Sequence, residues 1–438
     1  MKVLKSGTVK SFTDTTQADV ETAVSAALAR VREGGDAAVR ELSEKFDRYS
    51  PESFRLSAEQ IQECIDSLDQ QTIEDIEFVQ NNVRTFAQAQ LETMSDLEVE
   101  TRPGVFLGHR HVPIKAAGAY IPGGRYPMMA SAHMTVITAK VAGVERVVAC
   151  TPPLLGEIPA ATVAAAHMAG ADEIYILGGV QAIAAMGIGT ETIDPVNMIA
   201  GPGNAFVAEA KRQMYGEIGI DLFAGPTETL IVADDSADPL LTAVDLLSQA
   251  EHGPESPAVL VTTSPRVAES TAAHIEQLLP DMPTGDIAAQ AWENFGQIVL
   301  CDDEEELWQV ANSFASEHVQ IFTREPREAL ERMHDYGALF LGPNTCVSYG
   351  DKVIGTNHVL PTLGAARYSG GLWVGKYLKT CTFQEVRDDT VSGELGLVCG
   401  RASRVENFDG HGRSGDIRAA RALGAGFDWL NNVEKQEG

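Results

Sequence analysis

VVACTPPLLGEIPAATVAAAHMAGADEIYILGG, residues 147–179, decides the fold. It opens on the run Val147 to Thr151, whose composition suits a strand buried on both faces. Pro152-Pro153 stops that run, and the Ala-rich stretch 160–169 reads as a helix of small residues. Glu173 to Leu177 is a second strand-like run, halted by Gly178-Gly179. Strand, helix and strand in this order make a parallel βαβ unit.

The alternation continues on both sides. Residues 19–33 place Val20, Val24, Leu28 and Val31 on one helical stripe, ended by Gly34-Gly35. Residues 55–93 are polar and helical in pattern, and short apolar runs over 104–118 read as strands. Strands over 230–233, 258–263, 319–323 and 338–341 alternate with helices over 239–251, 304–315 and 325–336. Beyond residue 364 the pattern weakens until a last helix over 416–430. The expected class is α/β, with two parallel-sheet, incomplete Rossmann-like domains and small N- and C-terminal modules. The expected boundaries are an N-terminal arm 1–18, a first α/β domain 19–117 plus 229–364 carrying catalytic and metal residues, an inserted domain 118–228 on the cofactor side, and a C-terminal module 365–438.

A chain of 438 residues exceeds what one core supports. Its 62 acidic and 33 basic residues give a net charge of −29, which opposes binding to a nucleic-acid backbone. No apolar run is long enough to span a bilayer, and the first residues lack the pattern of a signal peptide. Six cysteines stand singly with no C-x-x-C pair, which argues against disulfides and thiolate zinc sites. Together these favour the cytoplasm.

Several polar stretches interrupt the apolar pattern. Asp238 and Pro239 open the helix 239–251, on which Leu240, Val244 and Leu247 form the expected buried stripe. Gln249 and His252, three apart, share a face of its last turn; there a His can ligate a metal or simply stabilise the helix end. Spacing and chemistry alone prefer Glu251 to Gln249 as a ligand, because carboxylates outrank amides for zinc. Glu317-His318 at a strand mouth suits general acid/base work, or a capping turn. Asp351 and His358 lie in a polar, glycine-framed stretch where each is a candidate ligand or a turn former. Glycine loops occur at 118–124 and 201–204, yet neither fits G-x-G-x-x-G, so nucleotide binding is only suggested.

Taken in order, GAYIPGGRYP, GGVQAIAA, GPGN, AGPTE, LLSQAEHGP, SEHVQI and GTNHVLPT resemble the histidinol dehydrogenase family from about residue 20 to 415. The resemblance implies an NAD-dependent enzyme that oxidises an alcohol to an acid in two hydride transfers, a four-electron reaction. It implies one Zn2+ per subunit held by Gln249, His252, Asp351 and His411, against the preference for Glu251. Glu317 and His318 match the catalytic pair: His318 as the base for the alcohol proton, Glu317 as the activator of water on the aldehyde. Tyr120, Gln181 and Asn204 match positions contacting NAD. Thr227, His358 and Glu406 match positions lining the substrate pocket, beside Gln249, His252, His318, Asp351 and His411. Thr227 stands where the family has Ser, which keeps the hydroxyl. The family also implies a homodimer whose C-terminal tail brings Glu406 and His411 into the partner's site, with no nucleic-acid or membrane partner.

Within the family the chain is most similar to the branch that includes sulfopropanediol 3-dehydrogenase. GPNTCVSYG at 342–350 and RYSGGLWVGKYLKTCT at 367–382 replace segments usual in enzymes acting on histidinol. The expected reaction is therefore 2,3-dihydroxypropane-1-sulfonate to 3-sulfolactate, with His133, Arg367 and Lys376 as candidate donors to the sulfonate. The alternatives are L-histidinol oxidation, a zinc hydrolase built on the same ligands, and a silent zinc or nucleotide binder.

Overall fold

The computed structural model describes residues 1–8, 17–123, 127–222 and 225–434. Residues 9–16 of the expected arm, 124–126 of GAYIPGGRYP and Ala224 of AGPTE lie outside the described residues. In chain order the strands are β1 (Lys2–Lys5), β2 (Leu97–Arg102), β3 (Val105–Pro113), β4 (Ala116–Tyr120), β5 (Arg146–Thr151), β6 (Glu173–Ile176) and β7 (Met198–Ala200). They continue with β8 (Gly219–Ile220), β9 (Thr229–Ala233), β10 (Ala258–Thr262), β11 (Gln297–Leu300), β12 (His318–Phe322), β13 (Ala338–Leu341) and β14 (Leu378–Val386).

Two sheets carry the larger of two compact units, Met1–Leu91 with Pro113–Tyr377. The first, in the order β6-β5-β4-β7-β8, has all its pairs parallel. The second runs β1-β11-β10-β9-β12-β13, with only the edge strand β1 antiparallel. The chain is α/β with two incomplete Rossmann-like sheets, as its alternation requires.

Helices cover these sheets: α1 (Gln17–Asp47), α2 (Ala58–Asp66), α3 (Gln70–Glu92), α4 (Met129–Val141), α5 (Ala160–Ala169), α6 (Gly179–Ile188) and α7 (Ala205–Met214), then α8 (Pro239–Ala250), α9 (Pro265–Leu278), α10 (Gly285–Phe295) and α11 (Glu304–Phe314). Gly35, at φ 49, breaks α1 where the glycine pair predicted an end, but helix resumes at once. Val20, Val24, Leu28 and Val31 of α1 are buried against α6, α7 and the five-stranded sheet. This corrects the boundary that placed residues 19–117 with the other domain: the apolar stripe of α1 finds its cover on the inserted sheet. Phe54 and Leu56 also hydrogen-bond the edge strand β6.

On α8 the buried stripe is Ala243, Leu246, Leu247 and Ala250, while Leu240 and Val244 are exposed. Helices α8, α9 and α10 pack one face of the six-stranded sheet, and α11 packs the other. The helix expected over 325–336 is only a 3-10 turn and the four-residue α12 (Ala329–Arg332). Asp351 lies in a short helix, α13 (Val347–Lys352), rather than a loop.

The smaller unit joins Glu92–Val112 to Leu378–Gly438. The tail therefore separates at Leu378 rather than 365 and takes β2 and β3 with it, because β14 pairs with β3. Its helices α14 (Asp389–Val405) and α15 (Asp409–Leu423) meet through glycines: a Cβ on Gly396 would sit 2.3 Å from the Gly415 carbonyl oxygen. The last expected helix is split at Gly424, φ 68, before α16 (Asp428–Glu434). Among the described residues no helix is long and apolar enough to cross a membrane.

Candidate active site

In the five-stranded sheet the chain runs outward from β4 to β6, then returns to set β7 on the other side of β4. Crevices at such a reversal, outside the carboxyl ends of the strands, are where nucleotides bind in open parallel sheets. A cleft of about 1080 Å³ lies there, and Tyr120, Gln181 and Asn204 all line it. Tyr120 ends β4, and its hydroxyl accepts the amide of Gly179 at 3.1 Å. Gln181 is buried, and its Nε2 donates to Asp47 Oδ2 at 2.9 Å. Asn204 caps α7, its side-chain oxygen accepting the amides of Phe206 and Val207 at 3.1 Å each. Phe46, Leu155 and Phe206 give the cleft exposed apolar lips, and Leu155 projects from a turn at φ 52. Asp47 escaped sequence reading because nothing around it marks a site; burial raises its carboxyl, against the lowering bonds from Gln181 and the Gly178 backbone.

The six-stranded sheet works from its other end. His318 is the first residue of β12, delivered by a left-handed Ala315 (φ 49) that turns the chain out of α11. Its Nδ1 lies 3.2 Å from the Glu228 carbonyl oxygen and 3.4 Å from Glu317 Oε2. Its Nε2 lies 3.4 Å from Asp351 Oδ1 without hydrogen-bond geometry. All of these side chains are buried. Burial opposes the imidazolium, yet the two carboxylates outweigh it and push His318 up to about 10. Burial raises Glu317 despite the counteracting His318. Burial also opposes Asp351 ionisation, but His318, His358 and Lys352 outweigh it and hold the carboxyl at about 2. Desolvation lowers His252, and Asp351 and His318 both act on its charge. His358, lowered to about 4 by burial, bonds Ser131 Oγ of α4 through Nε2 at 2.8 Å.

Whether this cluster suits a metal is decided by its donors. Gln249 is 2 % exposed, and its Oε1 has no hydrogen-bond partner. An orphaned buried amide oxygen is costly unless something binds it. Glu251 accepts Thr284 Oγ1 at 2.6 Å, a partner that Gln249 Oε1 lacks, which weighs against the spacing preference for Glu251 over Gln249. Gln249, His252 and Asp351 therefore fit a divalent ion. No group of three His, Cys, Asp or Glu side chains forms a metal site among the described residues. A set using one amide and a ligand from another chain needs only two such side chains from the larger unit. His411 and Glu406 sit in the smaller unit, exposed, around the turn between α14 and α15.

The cations suggested for an anionic substrate are placed otherwise. His133 is 3 % exposed, receives Gln80 Nε2 at Nδ1 (3.1 Å), and burial lowers it to about 4. A neutral imidazole enclosed this way offers an anion no charge. Arg367 is exposed and donates to the Ser313 carbonyl at 2.7 Å, near the end of α11. Lys376 lines a groove of about 430 Å³ with Phe86, Tyr368 and Trp373, whose walls include neither His318 nor Asp351. Thr227 is half-buried, directly before Glu228.

Glu228 is the residue sequence reading passed over. Its amide donates to Glu317 Oε2 at 3.0 Å, its carbonyl faces His318, and its carboxyl accepts the Leu363 amide at 2.8 Å. Burial pushes that carboxyl up to about 7. Its place in AGPTE, one residue after Thr227, was the available signal.

Comparison with known proteins agrees with this architecture. The chain is 56% identical to a histidinol dehydrogenase homolog of Shouchella clausii, over 95% of this chain and 98% of that one. It is 43% identical to sulfopropanediol 3-dehydrogenase of Ruegeria pomeroyi, over 96% and 97%. The crystal structure of histidinol dehydrogenase from Elizabethkingia anophelis superposes with a TM-score of 0.89, at 32% identity, over 96% of this chain and 95% of that one. Residues 11–419 match the histidinol dehydrogenase family as a whole, and the chain belongs to that family.

Proposed function

We propose that this protein is an NAD-dependent, zinc-containing alcohol dehydrogenase that carries a terminal alcohol through the aldehyde to the carboxylate in two hydride transfers. The observation that carries the reading is the buried, unpartnered Gln249 Oε1, one helical turn from His252, in a unit that also holds the Glu317–His318 pair. Gln249, His252 and Asp351 would hold the ion, with His411 from a second copy completing the set in a homodimer. When bound, the metal supplies a Lewis-acidic anchor for a substrate hydroxyl, and NAD supplies the hydride acceptor.

His318 takes the hydroxyl proton at Nε2 in both oxidations. Glu228 O and Glu317 hold its Nδ1 side, which fixes the ring's orientation. Ionised Asp351 at 3.4 Å favours the protonated ring, and a cation on Asp351 would offset that pull, lower the ring's affinity for a proton and leave Nε2 unprotonated and free to accept one. Glu317 draws a proton from the water that hydrates the aldehyde, so that the second oxidation acts on the hydrate. Thr227, His358 and Glu406 line the substrate's side of the site, and Tyr120, Gln181 and Asn204 hold NAD.

The proposed substrate is 2,3-dihydroxypropane-1-sulfonate, giving 3-sulfolactate, supported by the likeness to sulfopropanediol 3-dehydrogenase. L-histidinol is the second reading, favoured by the placement of His133, Arg367 and Lys376, none of which brings a cation to His318. The proposed setting is the cytoplasm, in keeping with six unpaired cysteines. A panel of terminal alcohols with NAD, following NADH and acid together, tests the proposal. Two NADH per acid from the sulfonate and none from histidinol is the expected result. Turnover of histidinol alone replaces the substrate, and hydrolysis of esters or amides without NAD replaces the reaction.

A further inference from the structure

Gly201 opens the loop Gly201-Pro202-Gly203-Asn204 between β7 and α7, at the reversal point where the cofactor cleft lies. Both of its backbone polar groups are held by one buried ion pair. Asp221 Oδ2 accepts the Gly201 amide at 2.7 Å, and Lys211 Nζ donates to the Gly201 carbonyl at 2.8 Å. Lys211 and Asp221 contact each other, with side chains 3% and 0% exposed. The second Asp221 oxygen accepts the Leu222 amide at 2.7 Å. Gly201 has φ +126, and a Cβ there would stand 1.9 Å from the Tyr120 carbonyl oxygen. The loop is thus pressed on Tyr120 at one end and becomes the cap of α7 at the other, where Asn204 sits.

From this geometry we infer that Lys211 and Asp221 are positioning residues for the dinucleotide. They hold the loop so that Tyr120 and Asn204 keep their spacing before the cofactor arrives. Burying two charges is a poor way to gain stability, since apolar residues of similar volume often serve as well. Here the charges do something apolar residues cannot, because they saturate the amide and the carbonyl of one glycine. The inference rests on the reading of this cleft as the NAD site.

The test is the full chain with Lys211→Met and Asp221→Leu together, which removes both charges and avoids leaving one unpaired. Calorimetric titration with NAD should show Kd raised about tenfold or more, the scale expected when a binding group is displaced. Bound zinc and the KM for the alcohol should stay unchanged. A folded double variant with unaltered NAD affinity, whatever its melting temperature, overturns the inference and leaves the pair purely structural. Amide exchange in the cofactor-free wild type gives an answer independent of folding in the variant. Gly201 should exchange only on global unfolding, and fast exchange overturns the clamp. Failure of the wild type to bind NAD instead removes the proposed function, a result the titration reports separately.

Discussion

The Leu363 amide hydrogen-bonds the Glu228 carboxyl at 2.8 Å, across 135 residues of sequence. This contact ties the stretch bearing His358 to the residue whose backbone carbonyl faces His318. Glu228→Ala would remove the acceptor of a part-buried amide, a cost of about 1 kcal/mol. The expected outcome is kcat lowered about tenfold with an unchanged KM for NAD. Glu228→Gln keeps an acceptor oxygen and should retain most activity; steady-state kinetics of the two variants checks this.

Glu228 also predicts a pH dependence. Burial raises its carboxyl from 4.5 to about 7, so the folded chain keeps a proton that the unfolded chain has already lost. The stability this group contributes is full below pH 4.5 and lost as pH rises through about 7. Melting curves from pH 4 to 8 should show the wild type declining relative to Glu228→Gln across that window.

His133 predicts the opposite slope. Burial lowers it from 6.5 to about 4, so its contribution is full above pH 6.5 and lost as pH falls through about 4. The difference amounts to about 3 kcal/mol if the group acts alone. His133→Gln should flatten the acid limb of the melting profile while leaving the KM for an anionic substrate unchanged.

Gln249→Met keeps side-chain volume and removes the orphaned oxygen. Bound zinc should fall markedly, while the metal-free chain melts at the same temperature or higher, since an unpaired acceptor has gone. Metal analysis and calorimetry of the metal-free protein check both halves. An unaltered zinc content would remove Gln249 from the ligand set.

Glu317→Gln should separate the two oxidations. The first continues on His318, while hydration of the aldehyde slows, so NADH formed per alcohol consumed falls from about two towards one. Trapping the released aldehyde measures the split.

Much of this was legible in the sequence where local chemistry agreed with the fold. Asp238 caps α8 and Pro239 opens it as their types predict, and strands 147–151 and 173–176 fall where the apolar runs lie. Tyr120, Gln181 and Asn204, named from resemblance, meet in one cleft. What escaped was set by distant partners. The stripe of α1 does not say which sheet will cover it, and nothing in 92–112 announces pairing with a strand near residue 380. Arg367 and Lys376 stood out as charges in an unusual segment, but a carbonyl at Ser313 and a separate groove claim them. Glu228 was hidden because its work is done by a backbone carbonyl as much as by its side chain.

The cleft lined by Tyr120, Gln181 and Asn204 opens at the carboxyl ends of one sheet, and the Glu317–His318 pair stands at the amino ends of the other. On the proposed reading, preference for a dinucleotide and preference for an alcohol are written on different sheets of one unit, joined through α4, whose Ser131 and Met134 bond His358 and Asn357. Descendants of such a chain can exchange one alcohol for another by altering loops around β9, β12 and α13 while inheriting the redox partner intact. A laboratory library confined to those loops should diversify substrates without retuning NAD.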